Sequence, residues 1–133
     1  MIDKSIAVGY IRVTTESEYK LAVQRKEIME YCDNHNIALH EIFQDSGDLP
    51  IEERPGLSVA LKTIKDGNAQ YLITSKLSRV SRKISEVVTV MNILKETDAF
   101  LISVKDGIDT STEMAEYFTH ISNALAAMEK RIS

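Results

Sequence analysis

Hydrophobic positions recur along this chain with two periods. Short apolar runs rich in β-branched residues occupy residues 6–11, 37–43, 71–74 and 100–104. Their length and continuity read as buried strands. Between them, apolar residues fall three and four apart. Residues 18–35 read as a helix with Leu21, Ile28, Met29 and Cys32 on one face. Pro55 suits a first helical turn, and Leu57, Leu61 and Ile64 carry that second helix to Gly67. Residues 84–96 give a third helix with Val87, Val88, Met91 and Leu94 apolar. Residues 45–50, Asp-Ser-Gly-Asp-Leu-Pro, form a turn-rich stretch. Strands alternating with helices predict a three-layer α/β domain, a mainly parallel sheet of about four strands with flanking helices.

A last helix is expected from residue 112 to the chain end. Met114, Phe118, Ile121, Leu125, Met128 and Ile132 are spaced alternately four and three apart, a heptad-like seam. Such a seam packs either on the domain's own sheet or on a partner subunit. The pattern still runs at Ser133 without a Gly, Asn or Pro stop signal, so a piece of a longer protein is expected.

Composition narrows the class. The 133 residues suit one domain, taken as residues 1–133, with 44% hydrophobic residues for a core and 27% charged. One cysteine, Cys32, excludes an internal disulfide framework and a four-cysteine zinc site. The apolar runs are too short for a membrane span, and the start lacks a signal-peptide pattern. A soluble, cytoplasmic protein is therefore expected, with no membrane partner. A net charge of −4 argues against coating nucleic acid by bulk charge but leaves room for a local basic site.

In parallel α/β sheets, ligands bind off the carboxyl ends of the strands. That rule selects four loops. The first carries Arg12, Thr14 and Thr15, and the second Asp45. The third is Lys76-Leu77-Ser78-Arg79-Val80-Ser81-Arg82-Lys83, inside a span from Asp66 to Glu86 without an acidic residue. The fourth has Lys105, Asp106 and Asp109. Arg79 and Arg82 would share a face if helical, and Arg54 could add a further cation. Guanidiniums grip phosphate bidentately, so arginines beside hydroxyls at one sheet edge suit an oxyanion site. A hydroxyl nucleophile in such a clamp could perform phosphoryl transfer without a metal. The plainer reading of 76–83 is a solvated basic turn.

Other chemistry lacks support. There is neither a P-loop nor a G-x-G-x-x-G motif. Cys32 falls mid-helix, and His35, His40 and His120 show no metal-ligand spacing. No cofactor and no metal are expected.

Collected in order, these residues resemble the serine site-specific recombinases, the resolvase–invertase family. Tyr10-Ile11-Arg12-Val13-Thr14-Thr15 is similar to the family's Y-x-R-V-S-T opening. Gln24-Arg25, Asp45 and Glu53-Arg54-Pro55-Gly56-Leu57 follow, and Lys76-Leu77-Ser78-Arg79-Val80-Ser81-Arg82 resembles K-L-D-R-L-S-R. Ile108-Asp109-Thr110 and residues 124–129 resemble the approach to the family's dimerisation helix, the Asp109-Thr110 region being closest to the large serine recombinases. The resemblance implies a catalytic domain for site-specific DNA recombination, in which a serine attacks a DNA phosphate within a tetramer, without metal or nucleotide. Carried over by position, Thr14 stands at the nucleophile, Arg12, Arg79 and Arg82 at phosphate-binding arginines, and Arg54 at a further active-site arginine. Gln24 and Asp45 match supporting polar positions, and Tyr10, Lys76 and Ser78 lie within the matched motifs.

The chain departs from the family at Thr14 for serine, Ser78 for the aspartate of D-R, Gln70 for an aspartate, Glu18 for a glutamine and Lys130 for an arginine. The β-methyl of Thr14 restricts χ1 and crowds an in-line attack. The expectation is therefore a recombinase catalytic domain with impaired cleavage. A fully active enzyme using Thr14 and a non-catalytic, self-associating or DNA-associated regulator are the rivals. Weak DNA binding by this domain alone is expected, with a homodimer, or a tetramer in a longer chain.

Overall fold

The pleat of the first strand organises the molecule. In the computed structural model, which describes residues 5–112, 122–124 and 126–127, β1 (Ser5–Val13) is an inner strand, second from one edge of a five-stranded sheet. The chain continues through α1 (Glu18–Asn34), β2 (Ile37–Ser46), a short 3-10 turn (Ile51–Glu53) and α2 (Pro55–Lys65). Then come β3 (Tyr71–Thr74), α3 (Leu77–Val80), α4 (Ile84–Glu96), β4 (Phe100–Ser103) and β5 (Ile108–Asp109). The sheet order is β2-β1-β3-β4-β5, parallel throughout except for the antiparallel β4–β5 pair.

Side chains of a strand alternate between faces, and the core divides accordingly. Val8, Tyr10, Leu72 and Leu101 meet Leu57, Ala60 and Ile64 of α2 and Val87, Val90, Met91 and Leu94 of α4. Ala7, Ile11, Val13, Ile73 and Ile102 meet Leu21, Ile28 and Cys32 of α1 on the opposite face. This gives the three layers the alternation predicts. Arg12 continues the Val8–Tyr10 face, so its side chain enters the α2/α4 side.

Four details differ from the sequence reading. The two-residue β5 adds a fifth strand. β1 runs on to Val13 and β2 to Ser46, so Arg12 and Asp45 lie in strands rather than loops. On α1, Met29 is exposed and Gln24 takes the buried position with Leu21, Ile28 and Cys32. On α4, Val90 rather than Val88 is fully buried. The apolar seam of residues 114–132 lies outside the described residues; beside it, Ser122 and Ala126 are buried and Ala127 is exposed. Among the described residues no helix is long and apolar enough to cross a membrane.

Candidate functional site

β1 outruns its neighbour. β3 pairs only with Ala7, Val8 and Gly9, which leaves the backbone of Arg12 without a strand on that side. Gln24 supplies the missing partners: Arg12 N donates to its Oε1 at 3.0 Å, and its Nε2 donates to Arg12 O at 2.9 Å. A buried backbone N–H or C=O left unpaired is costly, so this amide explains why a polar residue occupies the core face of α1.

The Arg12 guanidinium is buried, with 2% exposure. Its Nε donates to Arg79 O, its Nη2 to Ser78 O and its Nη1 to Gly47 O, each at 2.8 Å. The segment after β3 therefore lies directly against the end of β1. Arg54, equally buried, donates from Nε to Leu49 O at 2.7 Å and from Nη1 to Val80 O. Burial and the nearby Arg54 lower the Arg12 pKa; the second effect is like-charge repulsion.

Asp45 works on a helix end. Its Oδ1 accepts Gly56 N at 2.8 Å and its Oδ2 accepts Leu57 N at 2.9 Å. These N–H groups belong to the first turn of α2, where Arg54 stands at the cap position and its side chain makes no capping bond to the helix. A carboxylate there satisfies orphan donors and complements the helix dipole. The close approach needs a glycine: a Cβ on Gly56 would come within 2.4 Å of Gln44 O. Tyr10 Oη donates to Asp45 Oδ2 at 2.8 Å. Burial, then the Asp45 hydrogen bond and charge, hold the Tyr10 phenol well above its ordinary pKa.

The basic segment is not a free solvated turn. Arg12 and Arg54 hold the carbonyls of Ser78, Arg79 and Val80. Asp106 Oδ2 accepts Leu77 N at 2.8 Å and Ser103 Oγ at 2.6 Å, tying α3 to the end of β4. Glu86 Oε1 accepts Ser81 Oγ at 2.6 Å, and Ser81 Oγ accepts Lys83 N at 3.0 Å. Sequence reasoning placed Asp106 in the fourth loop without a role and missed Glu86. The signal for Glu86 was its place in the first turn of α4, where a carboxylate suits free N–H groups.

What the tethered backbone displays is cationic. Lys76, Ser78, Arg82 and Lys83 are exposed, as are Thr14 and Thr15 in the bend after β1. Arg79 is half-buried, and its Nε is enclosed without a hydrogen-bond partner. α3 ends at Val80 and Ser81 is extended, so Arg79 and Arg82 do not share a helical face as the spacing suggested. Among the described residues no group of three or more His, Cys, Asp or Glu side chains is arranged to hold a metal.

Known proteins share this framework. A family model described as "Resolvase, N terminal domain" matches residues 7–133. A DNA-invertase, hin, of Salmonella typhimurium is 36% identical over 94% of this chain, and a Tn917 transposon resolvase of Enterococcus faecalis is 27% identical over 93%. The chain spans 61% and 62% of the lengths of these relatives. Among solved structures, the N-terminal catalytic domain of TP901-1 integrase superposes with a TM-score of 0.85 at 21% identity, covering 96% of this chain and 98% of that one. A resolvase family site-specific recombinase from Streptococcus pneumoniae gives 0.83 at 23%, covering 96% and 89%.

Proposed function

The chain belongs to the resolvase–invertase family of serine recombinases, as its N-terminal catalytic domain, and on that premise we propose that it binds a DNA phosphodiester at the carboxyl edge of its sheet and is impaired in cleaving it. The observation that carries this reading is the meeting of the β1 end with the basic segment after β3 through Arg12. Thr14 supplies the hydroxyl of this edge. Arg79 and Arg82 receive phosphate oxygens, with Lys76 adding charge. Arg12 and Arg54, with Gln24, Asp45 and Tyr10 behind them, fix the backbone that presents those groups.

In the full reaction a hydroxyl Oγ attacks phosphorus and a P–O bond to the 3′ side breaks. This leaves a 5′-phosphoryl ester on the protein and a free 3′-hydroxyl. The incoming hydroxyl must lose a proton and the leaving oxygen must gain one. Guanidiniums neutralise charge developing on the phosphoryl oxygens. Thr14 can form that ester, but its methyl group restricts the approach. Ser78 offers no carboxylate for proton transfer or arginine orientation. The half-buried Arg79, with its unpartnered Nε, supports retained phosphate binding.

Weak, salt-sensitive DNA binding by this domain, and a homodimer (a tetramer in a longer chain) through the helix from residue 112, belong to the same reading. A DNA-associated regulator without cleavage is the second reading; the engagement of Arg12 and Arg54 with backbone carbonyls favours it. Covalent trapping on nicked supercoiled DNA carrying the cognate site tests the choice. Little adduct is expected from the native chain, and more from Thr14→Ser with Ser78→Asp than from either change alone, because the groups act as a unit. Robust adduct from the native chain, abolished by Thr14→Ala, overturns the impairment. No adduct from the double variant favours the regulator.

A further inference from the structure

Asp48 stands at the mouth of the arginine pair. The residue before it, Gly47, is bonded through both backbone groups. Its N–H donates to Val13 O at 2.8 Å, and its carbonyl accepts Arg12 Nη1. The residue after it, Leu49, has its carbonyl held by Arg54 Nε. The backbone of Asp48 is thus pinned between two residues that the buried guanidiniums grip. Gly47 makes the bend at φ +93°, a conformation that a side-chain-bearing residue rarely adopts. Asp48 Oδ1 then lies 3.6 Å from Arg12 Nη1, with the side chain 77% exposed.

Backbone carbonyls solvate Arg12 and Arg54 but do not neutralise them. Among the described residues Asp48 is the carboxylate in ion-pair contact with Arg12. Arg12 has five N–H donors, and three of its bonds go to carbonyls. One donor remains on each of Nη1 and Nη2, and Asp48 Oδ1 lies 3.6 Å from Nη1.

We propose that Asp48 is a built-in competitor for the phosphodiester: its carboxylate sits beside Arg12 at the edge where Arg79 and Arg82 receive the phosphate, and must swing aside, or stay and repel, when a DNA phosphate enters. The proposal rests on the phosphate-binding reading of the same edge. It adds a regulatory consequence, since the resting site is weakened for DNA by its own turn and strengthened by whatever removes the charge of Asp48. The contact is cheap to break, because an exposed ion pair is worth little. That suits a gate rather than a structural strut.

The test is binding of a fluorescein-labelled DNA duplex at fixed, moderate salt, read by anisotropy. Asp48→Asn should tighten binding about three- to fivefold, the scale of an exposed ion pair. Glu52→Gln removes the same charge from the neighbouring exposed turn without touching Arg12, and should change affinity by less than about twofold. Arg79→Ala reports on the underlying reading and should weaken binding. If Arg79→Ala weakens binding while Asp48→Asn gives no more than Glu52→Gln, the competitor is overturned and the phosphate site stands. If Arg79→Ala has no effect, the site reading itself fails. Thermal denaturation of Asp48→Asn should match the parent, which separates a gate from a fold defect.

Discussion

Arg12 and Arg54 can be set against Arg79 and Arg82. All four carry the same guanidinium, and all four lie near one edge of one sheet. The first two are 2% exposed and bond to carbonyls of Gly47, Leu49, Ser78, Arg79 and Val80. The other two emerge from the backbone so held, Arg79 half-buried and Arg82 exposed. A buried cation without partners would be costly, and these carbonyls make the burial tolerable. The pair inside therefore acts on chain conformation, whereas the pair outside is available to a ligand.

The sharpest way to break this comparison is to exchange the losses. Arg54→Ala should destabilise by about 3 kcal/mol in urea, because buried carbonyls lose charged donors. Arg82→Ala should cost less than about 0.5 kcal/mol while reducing DNA affinity and its salt dependence. Equal stability losses would erase the distinction.

A smaller effect is expected at the cap of α2. Asp45→Ala removes acceptors from Gly56 N, Leu57 N and Tyr10 Oη, and should cost about 2 kcal/mol in the same assay. Tyr10→Phe should cost about 1 kcal/mol at neutral pH and should also change the alkaline limb. The folded Tyr10 pKa is raised, so its contribution is complete below the ordinary tyrosine value of 10.0 and is lost as pH climbs above it. Stability measured across that alkaline window should fall less steeply in Tyr10→Phe. The smallest effect concerns Cys32, whose thiol burial, with Asp33 beside it, pushes up to about 11. A disulfide reagent at pH 8 should label it slowly in the native protein and rapidly after denaturation.

The elements were legible where burial governs residue type. β1, β3 and β4 are buried enough to be continuous apolar runs; β3 and β4 were read nearly to the residue, whereas β1 runs two residues past the apolar stretch and takes Arg12 into the strand. β2 is an edge strand, half-exposed, and its last residues Gln44, Asp45 and Ser46 look like loop until the pairing with Ile11, Arg12 and Val13 is known. Gln24 was legible as a position and not as a partner, because periodicity sees only apolar faces and its burial serves the backbone of Arg12. Arg12 and Arg54 were found by the strand-end rule and by resemblance. Their inward direction depends on carbonyls 26 to 67 residues distant in sequence for the contacts to Ser78, Arg79 and Val80, which no local pattern encodes. Asp48 was visible only as a turn residue, since its meaning lies in which guanidinium it faces.

Those same separations govern how the cationic edge comes into being. A contact that closes a loop of 67 residues is formed late, after the entropy of bringing the ends together has been met by other pairings. Segment 76–83 has no conformation of its own to fall back on: α3 is a single turn of four residues, far too short to persist alone. The cationic surface is thus a product of global folding and not of local structure. A nascent or locally opened chain carries the same arginines as an unorganised polycation, and acquires its geometry in the step that closes the sheet.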